Sequence, residues 1–208
     1  RDLRDRKRII ELLDQMTKIH HAMDGLEIME TELNLARASG DLRRELNAYR
    51  KIALLNVSQG KSDEALRATA DAAAVMKAAA DLPGEAAAMQ LLAEVNGMLR
   101  NHDEALKAIL QARTLFHQAK DVKGEVGALQ MAAQIYETNG MAKEALASCH
   151  EVRKVYKEAG WKEEEASTLM DLSPVLLHKR GPWEAMSTAK EAVALYREMK
   201  DREGEANA

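Results

Sequence analysis

Small and apolar residues recur three and four positions apart in blocks separated by short polar breaks. No block alternates with the period of two that a half-buried strand needs. The blocks come in pairs: one predicts a helix from about Pro83 to Met98, its neighbour a helix from about Asp103 to Gln118. The pair then recurs every 40 residues without gaps. Glu45, Glu85, Glu125, Glu165 and Glu205 hold one phase, and Asp41, Asp81, Asp121 and Asp201 another, with Trp161 taking the remaining place. A third phase carries Asp63-Glu64-Ala65-Leu66, Asp103-Glu104-Ala105-Leu106, Lys143-Glu144-Ala145-Leu146 and Trp183-Glu184-Ala185-Met186. Small residues at Ala53, Ala93, Ala133 and Ser173 hold a fourth. Chance does not keep several independent phases through four repeats, so the pattern predicts an all-α chain of successive helix hairpins.

The local chemistry agrees. Pro83 suits the first turn of a helix, where its missing N–H has no partner to lose. The glutamates that follow favour the positive end of the helix dipole, so they read as helix-start and surface residues. Gly60 and Gly140 mark tight turns between paired helices. Recurrent alanines such as Ala93 and Ala105 let one helix approach its partner more closely than leucine allows.

These residues resemble the tetratricopeptide repeat in its long-period form of about 40 residues, as in kinesin light chain, rapsyn and the spindle-orientation adaptors. The resemblance is carried by Leu92-Ala93 with Gly97, then Asp103-Glu104-Ala105-Leu106 with Ile109 and Ala112. It returns as Ala132-Ala133, Tyr136, Gly140, Glu144-Ala145-Leu146 and Cys149. It implies an α-solenoid of stacked antiparallel hairpins forming a right-handed superhelix, with repeats at 41–80, 81–120, 121–160 and 161–200. Residues 1–40 match as a divergent N-terminal helix pair, and 201–208 fall in phase with the start of a further repeat or a C-terminal extension, which points to a piece of a longer protein. Asn56 and Asn96 stand where the family usually places Tyr, as Tyr136 does. Ser173-Pro174 interrupts the first helix of the last repeat and predicts a kink there.

The resemblance implies that first helices line a concave groove that docks a peptide or helix of another protein. Helical spacing then assigns its face. If Ile52, Ala53 and Asn56 turn toward the partner helix, Asn47, Arg50 and Leu54 fall on the other side, with Lys51 adjacent. Shifts of 40 residues add Gln90 and Glu94, Gln130, Met131 and Gln134, then Met170 and Asp171. The equivalents of Lys51 are Leu91, Met131 and Asp171, so a basic row for a terminal carboxylate is not expected. Trp161 and Trp183 each stand where another repeat has an acidic residue, and are candidate interface aromatics.

Composition narrows the chemistry. Of 208 residues, 46% are hydrophobic but 3% aromatic, and about one in six is alanine. Thirty basic and 34 acidic residues argue against a general nucleic-acid binder. One cysteine excludes a disulfide framework or a cysteine-rich zinc site, and Cys149 reads as a core residue. His20, His21, His102, His117, His150 and His178 form no metal-binding motif, and no phosphate-binding glycine loop is present. The basic run Arg1, Arg4, Arg6, Lys7 and Arg8 is broken by Asp2 and Asp5 and reads as a solvated face. No segment is long and apolar enough to span a bilayer. The expectation is a non-enzymatic, intracellular scaffold without a cofactor, most naturally cytoplasmic, an organelle remaining open. Its partner is a protein segment, not nucleic acid. Two further readings stay open: a structural subunit of a large assembly, and the regulatory region of a larger enzyme or transcription factor.

Overall fold

The computed structural model describes residues 25–179 and 182–207, apart from the side chains at 174–179, 182 and 184. The basic run at 1–8, His20 and His21 lie outside the described residues, as does the side chain of His178. Among the described residues all regular structure is helical. Helix α1 covers residues 25–39. It is followed by α2 (Leu42–Ser58), α3 (Ser62–Ala78), α4 (Leu82–Met98), α5 (His102–Gln118) and α6 (Val122–Thr138). Then come α7 (Ala142–Ala159), α8 (Lys162–Lys179), α9 (Pro182–Met199) and the short α10 (Arg202–Asn207).

One corner geometry joins these helices at every corner among the described residues. After α2, the Gly60 N–H donates to the Val57 carbonyl at 3.0 Å and the Lys61 N–H to the Asn56 carbonyl at 2.9 Å. These are the paired bonds of a Schellman cap, and they require a left-handed residue. Gly60 supplies it with φ 73°, as Gly40, Gly140 and Gly160 do at 66°, 71° and 74°. Ala80, Arg100, Lys120 and Lys200 adopt the same conformation, with φ 53° to 63°, although each carries a Cβ. Each of these costs about 1 kcal/mol of local strain, against which the two capping bonds act. The turn within a hairpin and the turn between hairpins are therefore the same device.

The aspartate phase follows directly from this corner. Asp41, Asp81, Asp121 and Asp201 come just after the left-handed residue and accept the N–H of Arg44, Gly84, Gly124 and Gly204, at 3.0 to 3.1 Å. They are N-caps. A single residue ends one cap motif and opens the next helix.

The chain forms two compact units, divided inside α5 between Ala105 and Leu106. In the first, α3 packs on α2 and α4, and α2 lies beside α4. Its core is built largely of alanine: Ala48, Ala53, Ala65, Ala72 and Ala88 are fully buried around Tyr49, Met76, Leu91 and Val95. In the second, α7 packs on α6 and α8, and α9 on α8 and α10. Helix α8 runs on past Pro174 to Lys179. Leu172 is buried with Leu146 and Ala185, and the Ser173 hydroxyl donates to the Ala185 carbonyl at 3.1 Å. Packing on both neighbours holds the helix where local propensity alone would end it.

Burial pushes the phenols of Tyr49, Tyr156 and Tyr196 above the usual value of about 10. A raised folded-state value means that the folded chain holds the phenolic proton more tightly than the unfolded chain. The corresponding stability is complete below about pH 10 and is lost as pH climbs from there through the folded-state values. Melting temperature should therefore fall above about pH 10, and tyrosinate absorbance of the folded chain should develop at higher pH than in denaturant. Coincident titrations in the two conditions would contradict this.

Candidate functional site

The face offered by α2 and α4 in the first unit carries several of the residues expected to line a groove. A cleft of about 400 Å³ runs along it, with Asn47, Arg50 and Gln90 in its walls and the buried Leu91 and half-buried Leu46 giving it apolar depth. Arg50 is not a free cation. Its Nη2 lies 2.6 Å from the Glu94 Oε2, joining two expected groove residues across neighbouring first helices. Arg50 is half-exposed, so this pair holds the side chain in place more than it stabilises the fold, at about 0–1 kcal/mol. Lys51 is drawn away to Glu32 of α1, at 2.7 and 2.8 Å, and Leu54 is half-buried. The cation left on the cleft wall without an ion pair among the described residues is Arg43.

In the second unit, Gln130 and Gln134 are exposed on α6, with Met131 half-buried between them. On α8, Asp171 is exposed, whereas Met170 packs against the core of Ala166, Leu169, Ala192 and Tyr196. The amides of this set are therefore available and Met170 is largely structural.

Trp161 takes the N-cap position of α8, where the other described repeats have Asp. Its ring stacks on Tyr156, with centroids 6.0 Å apart and planes 24° from parallel, and Lys123 sits 5.9 Å from the ring centroid. Its singular position in the sequence is explained by these contacts. Trp183 is different: it is 82% exposed on α9, with the exposed Met186 one turn further on.

The recurrent glutamates depart from expectation. They do begin helices, but Glu45, Glu125 and Glu165 are not surface residues: each is about 5% exposed. Every one meets a cation from the end of the preceding helix. Arg37 reaches Glu45 at 3.1 Å, Arg113 reaches Glu125 at 3.5 Å and Arg153 reaches Glu165 at 3.4 Å. His117 Nδ1 adds a second contact to Glu125 at 2.9 Å. Arg113 and Arg153 also reach forward to Glu151 and Glu191. Each arginine so ties its own helix to the next two in the chain. The signal was present in the sequence as Arg113 and Arg153, one period apart, but nothing in a single helix shows that a carboxylate eight or twelve residues later turns inward to meet it.

Cys149 is half-buried, and burial raises its thiol above the ordinary range, so it is held protonated at neutral pH. Among the described residues, no group of three His, Cys, Asp or Glu side chains is placed to hold a metal ion.

No protein-family model matches the chain, and no curated protein does. Solved structures do. BtubC from P. vanneervenii superposes with a TM-score of 0.64 at 13% identity, over 89% of this chain and 87% of that one. A Podosopora anserina protein with nearly identical TPR-like repeats gives 0.57 at 14%, over 91% and 94%. The fold is a TPR-like α-solenoid. A Rap protein complexed with Competence and Sporulation Factor gives 0.58 at 14% over 89% of this chain, which spans 56% of the Rap chain. At these identities the likeness is one of fold, and the faces described above belong to this sequence.

Proposed function

We propose that this chain is a non-enzymatic protein-interaction scaffold that docks a peptide or helix of a partner protein against the α2–α4 face. The observation that carries the reading is the cleft in which Asn47, Arg50, Gln90 and Leu91 come together. Its chemistry suits a protein segment. The Asn47 and Gln90 amides both donate and accept, as a peptide backbone requires, Leu91 and Leu46 receive an apolar side chain, and Arg43 favours an acidic neighbour. The Rap protein, with the same fold, is seen in complex with Competence and Sporulation Factor. Within the second unit, Gln130 and Gln134 present similar amides on α6.

The test uses a peptide selected by display against the whole chain. Arg50→Glu combined with Gln90→Glu should weaken it at least about tenfold, or about 1.4 kcal/mol. Undiminished affinity would sink the α2–α4 face as the docking site. A second reading, a subunit built into a larger assembly, rests on Trp183 and Met186, an exposed aromatic and thioether pair of the kind that anchors interfaces. Trp183→Ala should then abolish assembly while leaving peptide binding intact.

A further inference from the structure

A larger cleft, about 500 Å³, opens on the other side of α2, between α1 and α3. It shares no lining residue with the cleft proposed above. Its floor is apolar, formed by Leu33, Ile52 and Ala68 with the ring of Tyr49, except at one point. That point is Asn56. It is 4% exposed, and among the described residues its side-chain amide makes no hydrogen bond.

The contrast with Asn96, one period later, is direct. Asn96 Nδ2 donates to the Leu92 carbonyl at 2.9 Å, and its Oδ1 accepts from Asn101 at 3.3 Å. Where Asn101 stands in that repeat, the first has Lys61, which forms no such bond. No buried side-chain nitrogen or oxygen among the described residues lacks a partner, so the Asn56 amide reaches the water of the cleft, and a ligand group that pairs with it takes that water's place.

The rim narrows the choice of occupant. Arg37, Lys61 and Arg67 face Glu30, Glu64 and Asp71, so the charges cancel and a charged group gains little. A neutral, largely apolar group with a single hydrogen-bonding tip fits both floor and rim. The chain itself indicates which group. Two periods after Asn56 the same position is Tyr136, half-buried, so a phenol suits this level of the hairpin and Asn56 replaces it with a much smaller side chain. Arg37, already 5.5 Å from the Tyr49 ring centroid, shows that the rim cations can also lie over an aromatic face.

We infer that the α1–α2–α3 cleft receives a tyrosine side chain of a partner protein, whose hydroxyl pairs with the Asn56 amide. The contact is independent of the α2–α4 face.

N-acetyl-L-tyrosinamide, titrated into the full ¹⁵N-labelled chain, is the probe. Saturable shifts are expected at the Asn56 side-chain amide and at the backbone amides of Tyr49 and Ala68. N-acetyl-L-phenylalaninamide, which lacks the hydroxyl, should bind about threefold to tenfold more weakly. Asn56→Tyr should fill the cleft and remove the shifts. Asn56→Leu keeps the cleft open and should erase the difference between the two probes. No saturable shift at Asn56, equal binding of both probes to the parent chain, or a tyrosine preference that survives Asn56→Leu would each overturn the assignment. The parent titration and the leucine variant decide the matter even if Asn56→Tyr does not fold.

Discussion

Arg153→Met is expected to destabilise the second unit by about 3 kcal/mol, the low end of what breaking a buried ion pair costs. The reason is Glu165. Its carboxylate is 5% exposed and loses its Arg153 contact, whereas methionine keeps the apolar length of the arginine stem. Arg153 itself is about a quarter exposed, which places the effect at the low end. The chain contains its own control. Arg113→Met removes the equivalent cation from Glu125, but His117 remains 2.9 Å away, so the loss should be clearly smaller. Pairing Arg153→Met with Glu165→Leu should recover most of the lost stability, because the cost lies in the stranded charge rather than in the absent attraction. Urea unfolding at neutral pH measures all three. The account fails if Arg113→Met costs as much as Arg153→Met, or if the double variant is no better than the single one.

The sequence carried the hairpins because a 40-residue period involves only local spacing. Helix ends came within a residue of prediction where a cap was chemically explicit, as with Pro83 and the predicted start near Asp103. Corners at Gly60 and Gly140 were legible as glycine. The identical corners at Ala80, Arg100, Lys120 and Lys200 were not, since nothing about alanine or lysine announces a left-handed backbone. The aspartate phase was visible without its role, because an N-cap is recognised only once the helix start is fixed to the residue. Face assignment by helical spacing put Asn47, Arg50 and Gln90 into a common cleft. It could not foresee that Arg50 would be held by Glu94 or Lys51 by Glu32, since those bonds depend on which helices become neighbours. Buried glutamates were the plainest misreading. Recurrence and charge suggest a surface residue, and only the inward turn of the preceding arginine makes burial tolerable.

A second large effect follows from the first-turn glycines. A Cβ on Gly124 would stand 2.3 to 2.7 Å from the ring of Phe116, which is itself 4% exposed and has no room to retreat. Gly124→Ala is therefore expected to cost about 2 kcal/mol through overpacking, although alanine is intrinsically the better helix former. In a Phe116→Ala background the clash is gone and only propensity remains, so the same substitution should stabilise by up to about 1 kcal/mol. The reversal of sign is the diagnostic, read as a coupling in a double-mutant cycle by urea unfolding. Equal effects in the two backgrounds would show that ring and glycine are not coupled. The other corners argue for coupling, because they solve the same problem differently. Tyr196 lies over Gly204 as Phe116 does over Gly124, and at Gly84 the flexible Met76 sulfur, 2.8 Å from where a Cβ would stand, joins the Asp81 carboxylate in crowding the position. Where the earlier residue is Ala36, the later one is Arg44, with a full side chain. Where Tyr156 precedes Glu164, the ring stacks on Trp161 at the cap position instead. Large residue and glycine thus vary together through the repeats, and Trp161 marks the corner where an aromatic stack takes over from the aspartate cap and the glycine.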